Sequence, residues 1–301
     1  MAVAATGFFD GVHLGHRKVI DQLCTIARER GEASMIVTFW PHPRSVLQQD
    51  ADRLRLLTTL EEKRSRCLSY GVDRFEILPF SRAVSRLSAE EFIRDCLAEQ
   101  LGVDTLILGY DHRLGHDRFD SPEQMMETVA RCGVEPVRVA AFETGEGAVS
   151  STRIRKVLQD GEVVRAAQLL GYPYSLQGVV VAGNRLGRTI DFPTANMQLY
   201  EPLKLVPARG VYAVRVEVTG RCYNGICNIG VRPTVDAGGA QTIETHILDF
   251  DEDIYGLDMR VTFCARLRDE RRFDSLGHLK AQLCLDRQQA AEILCRNEKL
   301  F

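Results

Sequence analysis

Two histidines in Gly11-Val12-His13-Leu14-Gly15-His16-Arg17 carry the first chemistry this sequence offers. If Leu14 opens a helix, His16 lies in its first turn, where free N–H groups and the positive dipole end favour a phosphate. Gly15 would let a ligand approach the backbone closely. Two imidazoles there can stabilise charge developing on a triphosphate attacked at its α-phosphorus. Such transfers rest mainly on positioning and charge stabilisation, so no covalent nucleophile is required. A zinc reading lacks the HExxH glutamate and an evident third ligand. Asp111, His112, His116 and Asp117 form a second cluster, readable as a metal site or as an exposed polar loop.

Three further stretches could handle anions, metals or protons. Ser150-Ser151-Thr152-Arg153-Ile154-Arg155 sets hydroxyls beside two guanidinium groups, an anion-binding loop or simply a helix cap. Gly183 to Met197 offers Gly183 and Gly187 for close backbone approach and Arg185 and Arg188 for charge, without the lysine or spacing of a Walker loop. Within it Thr194 and Asn196 are hard oxygen donors suited to Mg²⁺, although Pro-Thr-Ala-Asn alone also reads as a turn. Downstream, Glu244 and His246 share one face of an alternating strand. A carboxylate there could act as general base toward a primary alcohol, or be an ordinary surface charge.

These groups need a scaffold, and the bulk properties suit one. At 301 residues two domains are expected. The hydrophobic share of 45% and charged share of 26% fit a globular protein with sizeable cores. A net charge of −3 leaves no basic stripe for nucleic acid. Nine Cys without a CxxC pair read as reduced, mostly buried thiols. Neither a secretory leader nor a membrane span is read, so the chain reads as soluble and cytoplasmic.

The periodicity predicts strands at 2–8, 33–40, 74–80, 104–109 and 134–142. Between them it predicts helices over 14–30, 58–70, one opened by Ser88, and 121–132. This alternation implies an α/β doubly wound, Rossmann-like domain with ligands beyond the carboxyl ends of its strands. Two short helices follow Ser150. Short strands are then expected at 175–182, 210–218, 222–229, 242–250 and 259–268, with a helix over 275–299. That pattern predicts a small antiparallel barrel or sandwich with a C-terminal helix. The boundary is expected near residue 172, dividing the chain into 1–172 and 173–301.

GFFDGVHLGHR together with SSTRIR resembles the adenylyltransferase module of the bacterial bifunctional riboflavin kinase/FAD synthetase family. In order, GNRLGR…FPTAN, GVYAV, NIGVRPT and ETHILDFDEDIYG resemble its riboflavin kinase domain, so the likeness covers nearly the whole chain. The resemblance implies a nucleotidyltransferase fold followed by a Greek-key barrel. Riboflavin would be phosphorylated to FMN, and FMN adenylylated to FAD, each with ATP and Mg²⁺. It implies catalytic roles for His13, His16 and Glu244, and nucleotide contacts at Gly7, Phe9, Asp10, Gly15, Ser151, Thr152, Arg155, Gly183, Arg185, Gly187 and Arg188. Asp111 and Arg113 would contact flavin, and Thr194 and Asn196 would hold the metal. The sequence departs from the family pattern at Trp40, His112, Leu114 and Asp191. Two rival readings are a kinase whose adenylyltransferase site is impaired, and an RNA-directed nucleotidyltransferase with a nucleic-acid-binding barrel. Oligomeric state is not legible.

Overall fold

A computed structural model describes residues 1–47, 54–110, 114–117, 119–183, 192–231 and 241–296. Backbone packing divides the chain into two compact units, Met1–Ser151 and Thr152–Phe301.

The first unit is a five-stranded parallel sheet of order β3-β2-β1-β4-β5. Its strands are β1 (Ala2–Thr6), β2 (Ala33–Trp40), β3 (Arg74–Pro79), β4 (Val103–Leu108) and β5 (Glu135–Arg138). The connections hold α1 (Leu14–Arg30), α2 (Pro43–Leu47), α3 (Leu60–Ser69), α4 (Ala89–Glu91) running on into π-helical Phe92–Gln100, and α5 (Pro122–Arg131). Alternate strand residues feed two cores, as helices on both faces require. Ala4, Met35, Val37 and Leu106 meet Phe92, Ile93, Leu97 and Val129 on one face. Val3, Ala5, Ile36 and Ile107 meet Ile20, Leu23, Ala27 and Cys67 on the other. Two of the helices read from the sequence start with reciprocal capping boxes, Thr59 with Glu62 and Ser88 with Glu91. The expected strand over 134–142 is shorter: its last link to β4 is the Val139 N–H, which donates to the Leu108 carbonyl. A small hairpin, β6 (Glu143–Thr144) and β7 (Gly147–Ala148), follows it.

From Thr152, the second residue of α6 (Ser151–Gln159), the second unit runs through α7 (Val163–Leu170) into a closed antiparallel barrel of order β10-β11-β12-β9-β8-β13. The strands are β8 (Ser175–Val181), β9 (Ala195–Leu199), β10 (Gly210–Val218), β11 (Arg221–Val231), β12 (Gln241–Ile247) and β13 (Asp258–Arg268). The strand β9 was not expected; it is the tail of the Pro-Thr-Ala-Asn segment, where the Pro suggested a turn. Ala208 N–H donates to the Leu158 carbonyl, and Gly161 leaves room for the Arg266 side chain, so the helix pair packs with the barrel strands. The packing boundary thus falls after the first residue of α6, whereas the boundary read from sequence follows α7.

The final helix, α8 (Leu276–Arg296), covers Val211, Ala213 and Cys264 with Ala290 and Leu294. It is also pinned by a buried ion pair. Arg268 Nε and Nη2 donate to the Asp286 carboxylate at 2.9 and 2.7 Å, and Gln282 donates to the same group at 2.7 Å. The cysteine expectation needs correcting: all nine are free, but only Cys67, Cys227 and Cys264 are buried. Cys222 begins a strand beside an exposed turn, and Cys284 and Cys295 lie on the outward side of α8, where small thiols are tolerated without a core to fill.

Truncating Asp286 to Ala strands the Arg268 charge in a half-dry setting. Unfolding stability should fall by about 3 kcal/mol, measured by urea titration, while Arg287→Ala, which breaks only an exposed pair with Asp249, should change it little.

Candidate functional site

In the first unit, chemistry gathers where the sheet order reverses. β1 lies between β2 and β4, and the crevice beyond the carboxyl ends of such strands is where open α/β sheets bind ligands. The segment Gly7–His16 leaves β1 there, and Gly109-Tyr110 leaves β4 beside it. Tight turning is built into the first segment: Phe9, Gly11 and Val12 all have positive φ, at 47°, 84° and 36°.

Asp10 holds this segment in place. Its carboxylate accepts the Leu57 N–H at 2.9 Å, the Thr58 N–H at 3.1 Å and the Thr58 hydroxyl at 3.3 Å. The Gly11 N–H donates to the Thr58 hydroxyl oxygen at 3.0 Å, and the Ser151 hydroxyl donates to the Asp10 carbonyl at 2.8 Å. Of the proposed nucleotide contacts, Asp10 and Ser151 are therefore brought together with the histidine segment, and Asp10 acts as its anchor.

His13 caps α1. Its Nδ1 accepts the His16 N–H at 3.3 Å, which leaves Nε2 as the protonated nitrogen of the neutral ring. The two imidazoles stack at 3.7 Å between centroids, 17° from parallel. Gly15 makes this possible: a Cβ there would stand 3.1 Å from the His13 ring. His16 is half-buried, and burial, then the neighbouring His13 and Lys63, hold its pKa well below the usual imidazole range. At neutral pH the His16 ring is uncharged. Gly7 and Phe9 complete the segment, the Phe9 ring lying 5.1 Å from His16.

Lys63, on α3, went unnoticed in the sequence. It is 1% exposed, and its Nζ has no hydrogen-bond partner among the described residues. It sits 3.7 Å from the centroid of Phe8, whose ring also meets His42 in a T-shaped contact. Burial pushes its pKa down to about 8, with Asp10 opposing. A lysine in Leu-Glu-Glu-Lys-Arg-Ser reads as a solvated helix position, and only the tertiary fold reveals otherwise.

The flavin candidates Asp111 and Arg113 lie outside the described residues, as does His112. The flanking Leu114 is a core residue, and His116 and Asp117 bind main-chain atoms: the His116 ring the Leu87 carbonyl, the Asp117 carboxylate the Ala89 N–H. No group of three or more metal-ligating side chains occurs among the described residues. Thr152 and Arg155 lie on α6 and pack with the second unit.

In the second unit, three polar residues stand abreast across the barrel wall. Glu244 on β12 is paired directly with Asn196 on β9 and with Asn228 on β11. Directly opposed residues in antiparallel strands present side chains to one face. Asn228 is an addition the sequence reading lacked, since its motif was noted without a role. Gly183 lies against Asn196, where a Cβ would fall 2.2 Å from the amide nitrogen and force the amide aside. His246 Nδ1 donates to the Pro193 carbonyl at 2.8 Å, and its ring meets Phe192 at 5.0 Å. Thr194 opens on a pocket lined also by Thr245, Phe250, Asp251, Glu252 and Tyr255. Arg185, Gly187 and Arg188, with the divergent Asp191, lie outside the described residues.

Comparison with known proteins bears on both units. The FAD synthetase family model matches residues 1–153, and the riboflavin kinase model matches residues 170–294. A bifunctional riboflavin kinase/FMN adenylyltransferase of Bacillus subtilis is 37% identical, over 96% of this chain and 91% of that protein. The Escherichia coli K12 protein of the same description is 38% identical, over 96% and 92%. A Streptococcus pneumoniae crystal structure described as a macrolide-efflux protein superposes with a TM-score of 0.89 at 32% identity, covering 96% of this chain and 94% of that one. Among the described residues, no helix of the present chain is long and apolar enough to cross a membrane.

The depressed His16 pKa has a thermodynamic sign. The unfolded ring, near its ordinary value, binds a proton that the folded ring refuses, so stability from this group is full above about pH 6.5 and lost as pH falls through the folded pKa. The melting temperature should drop less between pH 7 and 5 in His16→Gln than in the parent, by differential scanning calorimetry.

Proposed function

The chain belongs to the bifunctional riboflavin kinase/FMN adenylyltransferase family, which phosphorylates riboflavin to FMN and adenylylates FMN to FAD, and from that premise we propose how its residues divide the work. The observation that carries the division is that the stacked histidine pair belongs to one compact unit and the Asn228–Glu244–Asn196 row to the other. Functionally we assign residues 1–172 to adenylyl transfer and 173–301 to the kinase.

In adenylyl transfer, a phosphate oxygen of FMN attacks the α-phosphorus of ATP and pyrophosphate leaves. The attacking phosphate is already an anion, so the site needs donors rather than a base. His13, whose Nδ1 is taken by the helix cap and whose Nε2 carries the ring proton, and neutral His16 supply them where charge grows. Gly7, Phe9 and Gly15 shape the backbone for the phosphates, and Asp10 and Ser151 fix its course. Thr152 and Arg155 keep the nucleotide role that their motif implies, and Asp111 and Arg113 the flavin role.

In the kinase reaction, Glu244 takes the proton of the riboflavin primary hydroxyl as that oxygen attacks the γ-phosphorus, and ADP leaves. Asn228 and Asn196 flank the carboxylate and orient it. Mg²⁺ fits at Thr194 and Asn196, because hydroxyl and amide oxygens are hard donors and Gly183 leaves the amide no side-chain obstruction. Bound there, the ion would neutralise nucleotide phosphate charge. Gly183, Arg185, Gly187 and Arg188 are assigned to the phosphates. Work in the cytoplasm suits nine free thiols, and a net charge of −3 argues against a nucleic-acid partner.

His16→Ala should lower FAD formation from FMN and ATP at least a hundredfold and leave FMN formation from riboflavin within twofold. Glu244→Gln should do the reverse, both read by chromatographic separation of FMN and FAD. If one substitution eliminated both activities in a folded protein, the independent-site assignment would fail. Gly183→Ala should act as Glu244→Gln does, at least tenfold, by displacing Asn196.

A further inference from the structure

We infer that Lys63 is a positioning residue of the adenylyl-transfer site, a fixed cation behind the Gly7–His16 segment that orders the histidine pair and raises the potential felt by the nucleotide phosphates. The inference rests on the histidine assignment made above. An ammonium carries three donors, and a buried one normally finds acceptors or a carboxylate in direct contact. Lys63 Nζ has neither among the described residues; it lies over the face of Phe8. A helix lysine needing only stability would reach water along its flexible stem. Instead this one is 1% exposed, one helical turn after the Thr59 cap and so next to the Thr58 anchor that holds Asp10.

The placement has an electrostatic result. Lys63 and His13 are the charged or titratable groups that bear on His16; Asp10 and Cys67 bear on Lys63, and His42 lies across Phe8. The Asp10 carboxylate is spent on the Leu57 and Thr58 donors, so it balances the lysine charge without quenching it by contact. In a poorly solvated rim, a fixed positive charge acts over several ångströms with little screening. It disfavours a proton on His16 and favours an approaching polyphosphate.

The test uses the full chain, with riboflavin phosphorylation as internal control for folding. Lys63→Met should reduce FAD formation from FMN and ATP at least tenfold at pH 7 and spare FMN formation. Its acid limb should move to higher pH, because His16 then protonates more readily. Lys63→Arg should hold the acid limb where the parent has it. The parent should also lose FAD formation above about pH 8, as Lys63 gives up its proton, and Lys63→Arg should not. Lys63→Met with FAD formation within twofold of the parent overturns the inference. So does a loss that leaves the acid limb in place and is not restored by arginine, the pattern of a purely structural residue. Should Lys63→Met fail to fold, a parent rate that is flat from pH 7 to 9 overturns it without that variant. If His16→Ala retains FAD formation, the histidine assignment itself fails; if His16→Ala loses it and Lys63→Met does not, only the lysine inference does.

Discussion

The first unit depends on one carboxylate spending its lone pairs on the main chain. Asp10 joins the turn after β1 to residues 47 and 48 positions further on, while its carbonyl takes the Ser151 hydroxyl from the end of the same unit. A buried carboxylate is costly unless such donors surround it. Once they do, the backbone between β1 and α1 has little freedom left. The positive φ angles at Phe9 and Val12 are sustained by that anchoring, and the His13 cap follows from them.

The second unit solves the same problem without a carboxylate anchor. Barrel closure fixes strand register, and register alone sets Asn228, Glu244 and Asn196 abreast. Gly183 then permits another stretch of backbone to lie against the Asn196 amide. Rigid strands position a site more tightly than loops do, so register holds this row where side-chain bonds hold the histidine segment.

Much of this was legible in residue order. The capping boxes at Thr59 and Ser88, the helix from Leu14 and the β-α alternation are local signals, and local chemistry decides them. The His13–His16 pair and Glu244 stood out because their residue types and spacing carry chemical meaning before any folding. What stayed hidden is long-range. Lys63 has an unremarkable helical neighbourhood, and its burial arises from packing beneath Phe8. The strand β9 was masked by Pro193, because a proline is compatible both with a turn and with the first step into a strand. Asn228 gained significance only through its cross-strand pairing with Glu244.

The uneven distribution of thiols separates the two units chemically. The first unit carries its four cysteines buried or half-buried, whereas all three exposed ones, Cys222, Cys284 and Cys295, belong to the second. Maleimide dyes, which attack accessible thiolates, will therefore tag the barrel side of the chain first. A fluorophore attached this way gives an optical reporter on one catalytic half while the other keeps its native side chains.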